Sequence, residues 1–108
     1  MRLRLAVDTG AAMTLIRPSV LSRAGIGQSR AAGEAHFAGV VGSAYAPTFI
    51  TDEITAAGLS RYRLRVISAD LAVSEHIDGL LGLDFLAGQR LTIDLGARTI
   101  EIEPSNAM

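Results

Sequence analysis

Apolar and polar residues alternate one for one in short stretches along this chain, and that period limits its fold more than any other feature. At the start, Leu3, Leu5 and Val7 alternate with Arg2, Arg4 and Ala6; near the end, "RLTIDL" and "TIEIE" repeat the pattern on either side of "GAR". Side chains two apart share one face of a strand, whereas a helix would need spacings of three and four. The expectation is a mostly β fold with one or two short helices. Pro18 followed by "SVLSRAG" predicts a helical turn or two, with Pro near its first position and Gly25 at its end. "HIDGLLGLDFLAG" predicts a buried strand followed by a short helix around Asp84 to Ala87. Met13 to Ile16 reads as a second short strand, Gly27 to Gly33 as a polar loop, and Glu34 to Ile50 as two arms of a mobile hairpin around the tip "AGVVGS". Strands are expected to continue through "ITDEIT", a turn at Ala57-Gly58, and "RYRLRVI". In that last stretch Arg61, Arg63 and Arg65 would share a solvated sheet face, an acidic docking groove being the alternative.

One stretch works against the pattern. "LAVDTGAAMTLI", Leu5 to Ile16, sets a carboxylate between two apolar strands, and an ionised carboxylate is costly to bury there unless hydrogen bonds or a partner offset its lost hydration. Gly10 would let the backbone close around Asp8 so that its N–H points at the carboxylate, and Thr9 offers a hydroxyl to a neighbour. Such a loop can hold an acid rigidly. By itself Asp-Thr-Gly is a weak signal, because Asp-x-Gly is common in ordinary turns.

Composition narrows the chemistry. The 108 residues, 49% hydrophobic, suit a single domain over residues 1–104, followed by a polar tail at 105–108 of the kind cloning leaves behind. A net charge of −1 and a pI near 6.1 lack the basic footprint of phosphate binding, so no nucleic-acid partner is expected. With no Cys there is no thiolate nucleophile, no disulfide framework and no Cys-based metal site, and His36 and His76 lack zinc-ligand spacing. Neither metal nor cofactor is expected, and both His are read as surface or loop residues. The longest charge-free run, Phe37 to Thr51, is interrupted by Gly, Ser and Pro and is too short for a membrane span. "MRLRLAVDTG" has no apolar core of a leader, so the default expectation is a cytoplasmic protein with no membrane partner.

Taken together, the apolar strand, Asp-Thr-Gly-Ala, "MTLI", the Gly-flanked hairpin tip and "DGLLGLDFL" some way downstream resemble the retropepsin-like aspartic proteases across nearly the whole chain. The all-Arg cation usage and the abundance of Ala and Gly point to a bacterial member. The resemblance implies a single-lobe, closed β-barrel with a flap hairpin, functional as a two-fold homodimer, that hydrolyses polypeptides. By position, Asp8 would be the catalytic acid/base, Thr9 the hydroxyl interlocking two active-site loops, and Gly10 and Ala11 the backbone beside the carboxylate. Gly39, Val40, Val41 and Gly42 would form the flap tip over substrate. Leu80 would wall an apolar subsite, and Leu80-Leu81-Gly82 would brace the catalytic loop from behind.

The chemistry implied needs two carboxylates sharing a proton, one ionised to activate water and one protonated to donate to the carbonyl oxygen; that aspartic-protease dyads titrate as a unit is their established behaviour. One chain supplies one such Asp, so a second copy must supply the other across an isologous two-fold axis. "LTIDLGA" echoes "LAVDTGA", but Leu95 replaces the Thr and Asp94 is better read as a turn residue. Asp84 is expected to cap or charge the short helix, and Asp78 to sit at a strand entry. Two departures from the family pattern stand out. Ala12 and Leu83 replace an Asp/Arg pair that supports the dimer in retroviral relatives, an exchange that need not cost stability. The strand or hairpin that normally precedes the catalytic strand is also not seen ahead of Asp8. These departures motivate two other readings: a non-catalytic dimerisation or peptide-binding module on the same fold, and an unrelated small β domain.

Overall fold

The computed structural model describes residues 1–39, 42–70 and 76–107. Its strands are β1 (Leu5–Val7), β2 (Leu15–Ile16), β3 (Ala31–Gly39), β4 (Gly42–Ile50), β5 (Glu53–Ala56), β6 (Leu59–Tyr62), β7 (Arg65–Ser68), β8 (Gly79–Leu81), β9 (Gln89–Asp94) and β10 (Thr99–Pro104). Helix α1 (Pro18–Arg23) starts on its proline as expected, a 3₁₀ turn covers Gln28–Arg30, and α2 (Leu83–Leu86) follows β8. No helix among the described residues is long and apolar enough to cross a membrane.

Six strands form one sheet in the order β1-β8-β2-β7-β4-β3; β9 with β10, and β5 with β6, form separate two-stranded ribbons. β8 lies between β1 and β2, parallel to the first and antiparallel to the second. The chain leaving β1 must therefore cross the end of β8 to reach β2. The crossing segment is Asp8 to Thr14, and the topology places it over the C-terminal end of β8.

Alternation along the central strands gives the sheet two distinct faces. Ile16 and Val66 pack with Val20 and Leu21 of α1, and Leu81 packs with Phe85 and Leu86 of α2. Their immediate neighbours Leu15, Ile67 and Leu80 gather on the other face with Ala46 and Ala35 of the β3–β4 hairpin and with Met13. One face thus makes the main core. The opposite face, shaded by the hairpin, makes a cleft.

The sheet is open, which corrects the expectation of a closed barrel. Closure requires the first and last strands of the order to pair, but β1 pairs only with β8 and β3 only with β4 among the described residues. A groove of about 470 Å³ runs along β1, between Leu3, Leu5 and Val7 on one side and Ile54, Ala56, Ile100 and Ile102 on the other.

The expected strand "RYRLRVI" is also two strands rather than one. Arg63 adopts φ 55°, a left-handed conformation that ends β6 before β7 begins, so the three arginines do not share a face. The Arg61 guanidinium donates to the carbonyls of Phe85 and Ala87 at the end of α2. Arg65 donates to Thr48 Oγ1 at 2.8 Å and to the Glu34 carbonyl at 3.1 Å. "ITDEIT" likewise breaks at Thr51, whose N–H and hydroxyl both donate to the Leu64 carbonyl. The Ala57-Gly58 turn forms as expected, both residues taking the positive φ that a two-residue hairpin needs.

Candidate active site

The crossing segment over β8 leaves no room for a side chain beneath it. A Cβ on Gly82 would lie 2.6 Å from the Met13 carbonyl carbon and 2.9 Å from the Ala11 oxygen; at the other end of β8, one on Gly79 would lie 2.1 Å from the Leu15 oxygen of the adjoining β2. With both Cβ atoms absent, backbone meets backbone. The Leu83 N–H donates to Ala11 O at 2.8 Å, and the Asp84 N–H to Ala12 O at 3.2 Å. The expected bracing by Leu80-Leu81-Gly82 is present in this form, and it continues into the first turn of α2.

Held from below, the loop folds back on its own acid. The Gly10 N–H donates to Asp8 Oδ1 at 2.9 Å and the Ala11 N–H to Asp8 O at 3.1 Å, while the Asp8 N–H continues the ladder to Leu81 O at 3.0 Å. A Cβ on Gly10 would sit 3.2 Å from that carboxylate oxygen, so glycine keeps the donor close without crowding the acceptor. Thr9 and Gly10 are exposed and Asp8 is half-buried. The carboxylate is thus fixed on one side by a backbone donor, within reach of solvent or of a partner on the other.

Asp8, Gly10, Ala11, Met13, Leu15, Ile67 and Leu80 line a single cleft of about 380 Å³, together with Ala12 and His36. Of the residues singled out in the sequence, Asp8, Gly10, Ala11 and Leu80 are brought together here; Thr9 lies next to them but does not line the cleft. Gly39 and Gly42 face each other at the end of the β3–β4 ladder, and Val40 and Val41 lie outside the described residues. The sequence predicts His36 to be a surface or loop residue with no catalytic role. It is exposed, pairs with Tyr45 across the hairpin with ring centroids 4.9 Å apart, and lines the cleft. Only the tertiary placement of the β3–β4 hairpin, which brings His36 to the cleft lined by Asp8, could have revealed this.

The other acids separate as their local chemistry dictates. Asp94 accepts from the Ala97 N–H at 2.9 Å within the β9–β10 turn and takes no part in the cleft. Asp78 Oδ2 accepts from the Arg4 N–H at 2.7 Å, tying the entry of β8 to the residue before β1. Asp84 lies in the first turn of α2, as expected of an acid that charges the helix start, and accepts from the Phe85 N–H at 2.8 Å; the N-cap position itself is Gly82 with no side-chain cap bond, and the Asp84 carboxylate also binds Thr14. Among the described residues no group of His, Asp and Glu is arranged to hold a metal ion.

A family model described as aspartyl protease matches residues 2–85, from the strand ahead of Asp8 to the middle of α2. The β9–β10 ribbon lies beyond the matched segment. No curated protein and no solved structure matches the chain.

Proposed function

The chain belongs to the aspartyl protease family, in its retropepsin-like clan, and from that premise we propose an aspartic endopeptidase that acts as a homodimer on extended polypeptide. The observation carrying this reading is the Asp8 carboxylate, fixed by the Gly10 N–H at 2.9 Å beside an apolar cleft and half-open to solvent. One carboxylate cannot both take a proton from water and give one to the carbonyl, so the second Asp8 comes from a second copy. In the pair, the ionised carboxylate removes a proton from a bridging water, whose oxygen attacks the peptide carbonyl carbon while the protonated partner donates to the carbonyl oxygen. The tetrahedral diol then collapses: a proton passes to the leaving nitrogen, the C–N bond breaks, and the carboxylates return to one shared proton. No metal or cofactor enters any step.

Leu80, with Leu15, Ile67 and Met13 on the same sheet face, gives the cleft apolar walls suited to apolar side chains near the cleaved bond. Gly39 and Gly42, with Val40 and Val41, would close over the substrate as a flap and pair with its backbone as an added strand does. Thr9, exposed beside Asp8, would lock against its symmetry mate.

The test is cleavage of an unstructured polypeptide, such as labelled casein, by the parent chain and by Asp8→Asn. The parent is expected to cleave and the variant to lose at least about a thousandfold in kcat, because in a homodimer the substitution replaces both carboxylates of the acid/base pair. Equal cleavage by Asp8→Asn would sink the reading. Peptide binding without turnover by the parent at every acidic and neutral pH would favour the non-catalytic module instead.

A further inference from the structure

The catalytic loop is held by more than its own backbone. Thr14, fully buried, stands where the crossing segment enters β2. Its hydroxyl accepts from the Gly82 N–H at 3.1 Å and donates to Asp84 Oδ1 at 2.8 Å. Its N–H is shared between Asp84 Oδ1 at 2.9 Å and Oδ2 at 3.0 Å, and the Phe85 N–H donates to Oδ1 at 2.8 Å. The carboxylate is half-buried, where charge is tolerated only with such donors around it. All of these donors belong either to the outgoing arm of the catalytic loop or to the first turn of α2.

An acid in a helix of four residues has no need of this arrangement for capping, because the Phe85 bond alone would serve. The bonds to Thr14 instead tie α2 to the far end of the segment whose near end carries Asp8. Between the two ends, the Leu83 and Asp84 N–H groups hold Ala11 O and Ala12 O. The segment is therefore pinned at successive points from Ala11 to Thr14, and only the Asp8–Gly10 turn projects from it.

We propose that Asp84, acting through Thr14, is a positioning residue for Asp8: it sets the height and tilt of the catalytic loop over β8 without touching substrate. This rests on the proteolytic reading above. A loop displacement of the order of an ångström at the reacting group costs about a hundredfold in rate. The effect belongs in kcat, because the cleft walls Leu15, Ile67 and Leu80 are carried by the sheet and not by this clamp.

Asp84→Ala removes every acceptor, whereas Asp84→Asn keeps Oδ1 and sets a donor against the Thr14 N–H in place of Oδ2. Thr14→Val removes the hydroxyl bridge and Thr14→Ser restores it. On labelled casein, Asp84→Ala and Thr14→Val are expected to lose about a hundredfold in kcat, with KM within about threefold of the parent. Asp84→Asn should fall between parent and Ala, and Thr14→Ser should stay near the parent. A loss confined to KM, or parent-like kcat in folded Asp84→Ala, overturns the proposal. So does failure of Asp84→Ala, Asp84→Asn and Thr14→Val all to fold, since the network would then hold the fold rather than the loop. If Asp84→Ala alone fails, the Thr14 pair decides.

A readout independent of activity separates the two readings. In amide NMR spectra of the full chain, Asp84→Asn or Thr14→Val should shift Gly10 and Ala11 while leaving the β5–β6 and β9–β10 ribbons in place. Unmoved Gly10 and Ala11 resonances overturn the positioning claim. A parent that never cleaves, but whose variants move those resonances, removes the proteolytic reading alone.

Discussion

Gly82 and Asp8 show how one crossing makes opposite demands on two residues: below the loop nothing wider than a hydrogen fits, and above it a charged group must be held in the open. Gly82→Ala would press a methyl to 2.6 Å from a backbone carbon, a contact that no side-chain rotation relieves. The expected cost is about 3 kcal/mol or more in urea-induced unfolding, at or above the upper end for overpacked interiors. Phe85→Ala, at a fully buried site, should cost about 3–5 kcal/mol by leaving a cavity. The two differ in kind. At a temperature where both remain folded, Gly82→Ala should abolish cleavage by lifting the loop, while Phe85→Ala should keep most of it. At this scale the sequence was highly legible for Asp8, Gly10 and Leu80, because a charged residue between apolar strands already demands an explanation. Asp84 was legible only as an acid near a helix start. Its partner Thr14 is 70 positions away, and no local pattern links them.

The elements were readable where period and turn chemistry agreed. Pro18 opened α1, the Ala57-Gly58 pair made its turn, and "DFL" made the second helix. The reading failed at "RYRLRVI", where five of seven residues lie in strands and the left-handed backbone of Arg63 divides them. The consequence reaches the β3–β4 hairpin. Freed from a common face, Arg65 reaches Thr48 and the Glu34 carbonyl, while Thr48 Oγ1 donates to the Gly33 carbonyl at 3.1 Å. These bonds fall at the irregularity in the β3–β4 register between Ala31 and Glu34, at the root of the hairpin. Arg65→Met keeps the stem but loses the donors, and should weaken the root by about 1 kcal/mol, since Arg65 is exposed and its bonds are partly screened. Hydrogen exchange should show β3 amides opening several-fold faster than those of β5 and β6.

For the molecule as a whole, the sheet stays open at β1, and the chemistry proposed for it needs a second copy. Leu83, 47% exposed, and the exposed Ala12 lie close to the loop that carries the exposed Thr9 and Gly10, the Leu83 N–H donating to Ala11 O and the Asp84 N–H to Ala12 O. A charged pair would have left this rim polar; here it is apolar. If this rim meets its mate, Leu83→Arg places an unpaired guanidinium in the contact and should weaken self-association by about 2 kcal/mol or more. Sedimentation velocity over a dilution series would read this as a roughly thirtyfold shift in the dimer dissociation constant. Specific activity should fall on dilution for both proteins, earlier for the variant. An unchanged sedimentation profile would move the contact elsewhere on the surface.

The amino-acid order alone determined a mostly β chain, the loop that sets an acid between two apolar strands, the glycine-flanked hairpin and the apolar motif that braces the loop. Each is written in neighbours a few positions apart, where strand period, turn geometry and the cost of an isolated charge act locally. The tertiary structure alone decided that the sheet stays open, that His36 borders the cleft, and that Asp84 binds Thr14 as well as its own helix. These are pairings between residues far apart in the chain, and the last follows from one topological fact: β8 inserts between β1 and β2 and compels the Asp8 loop to cross above it.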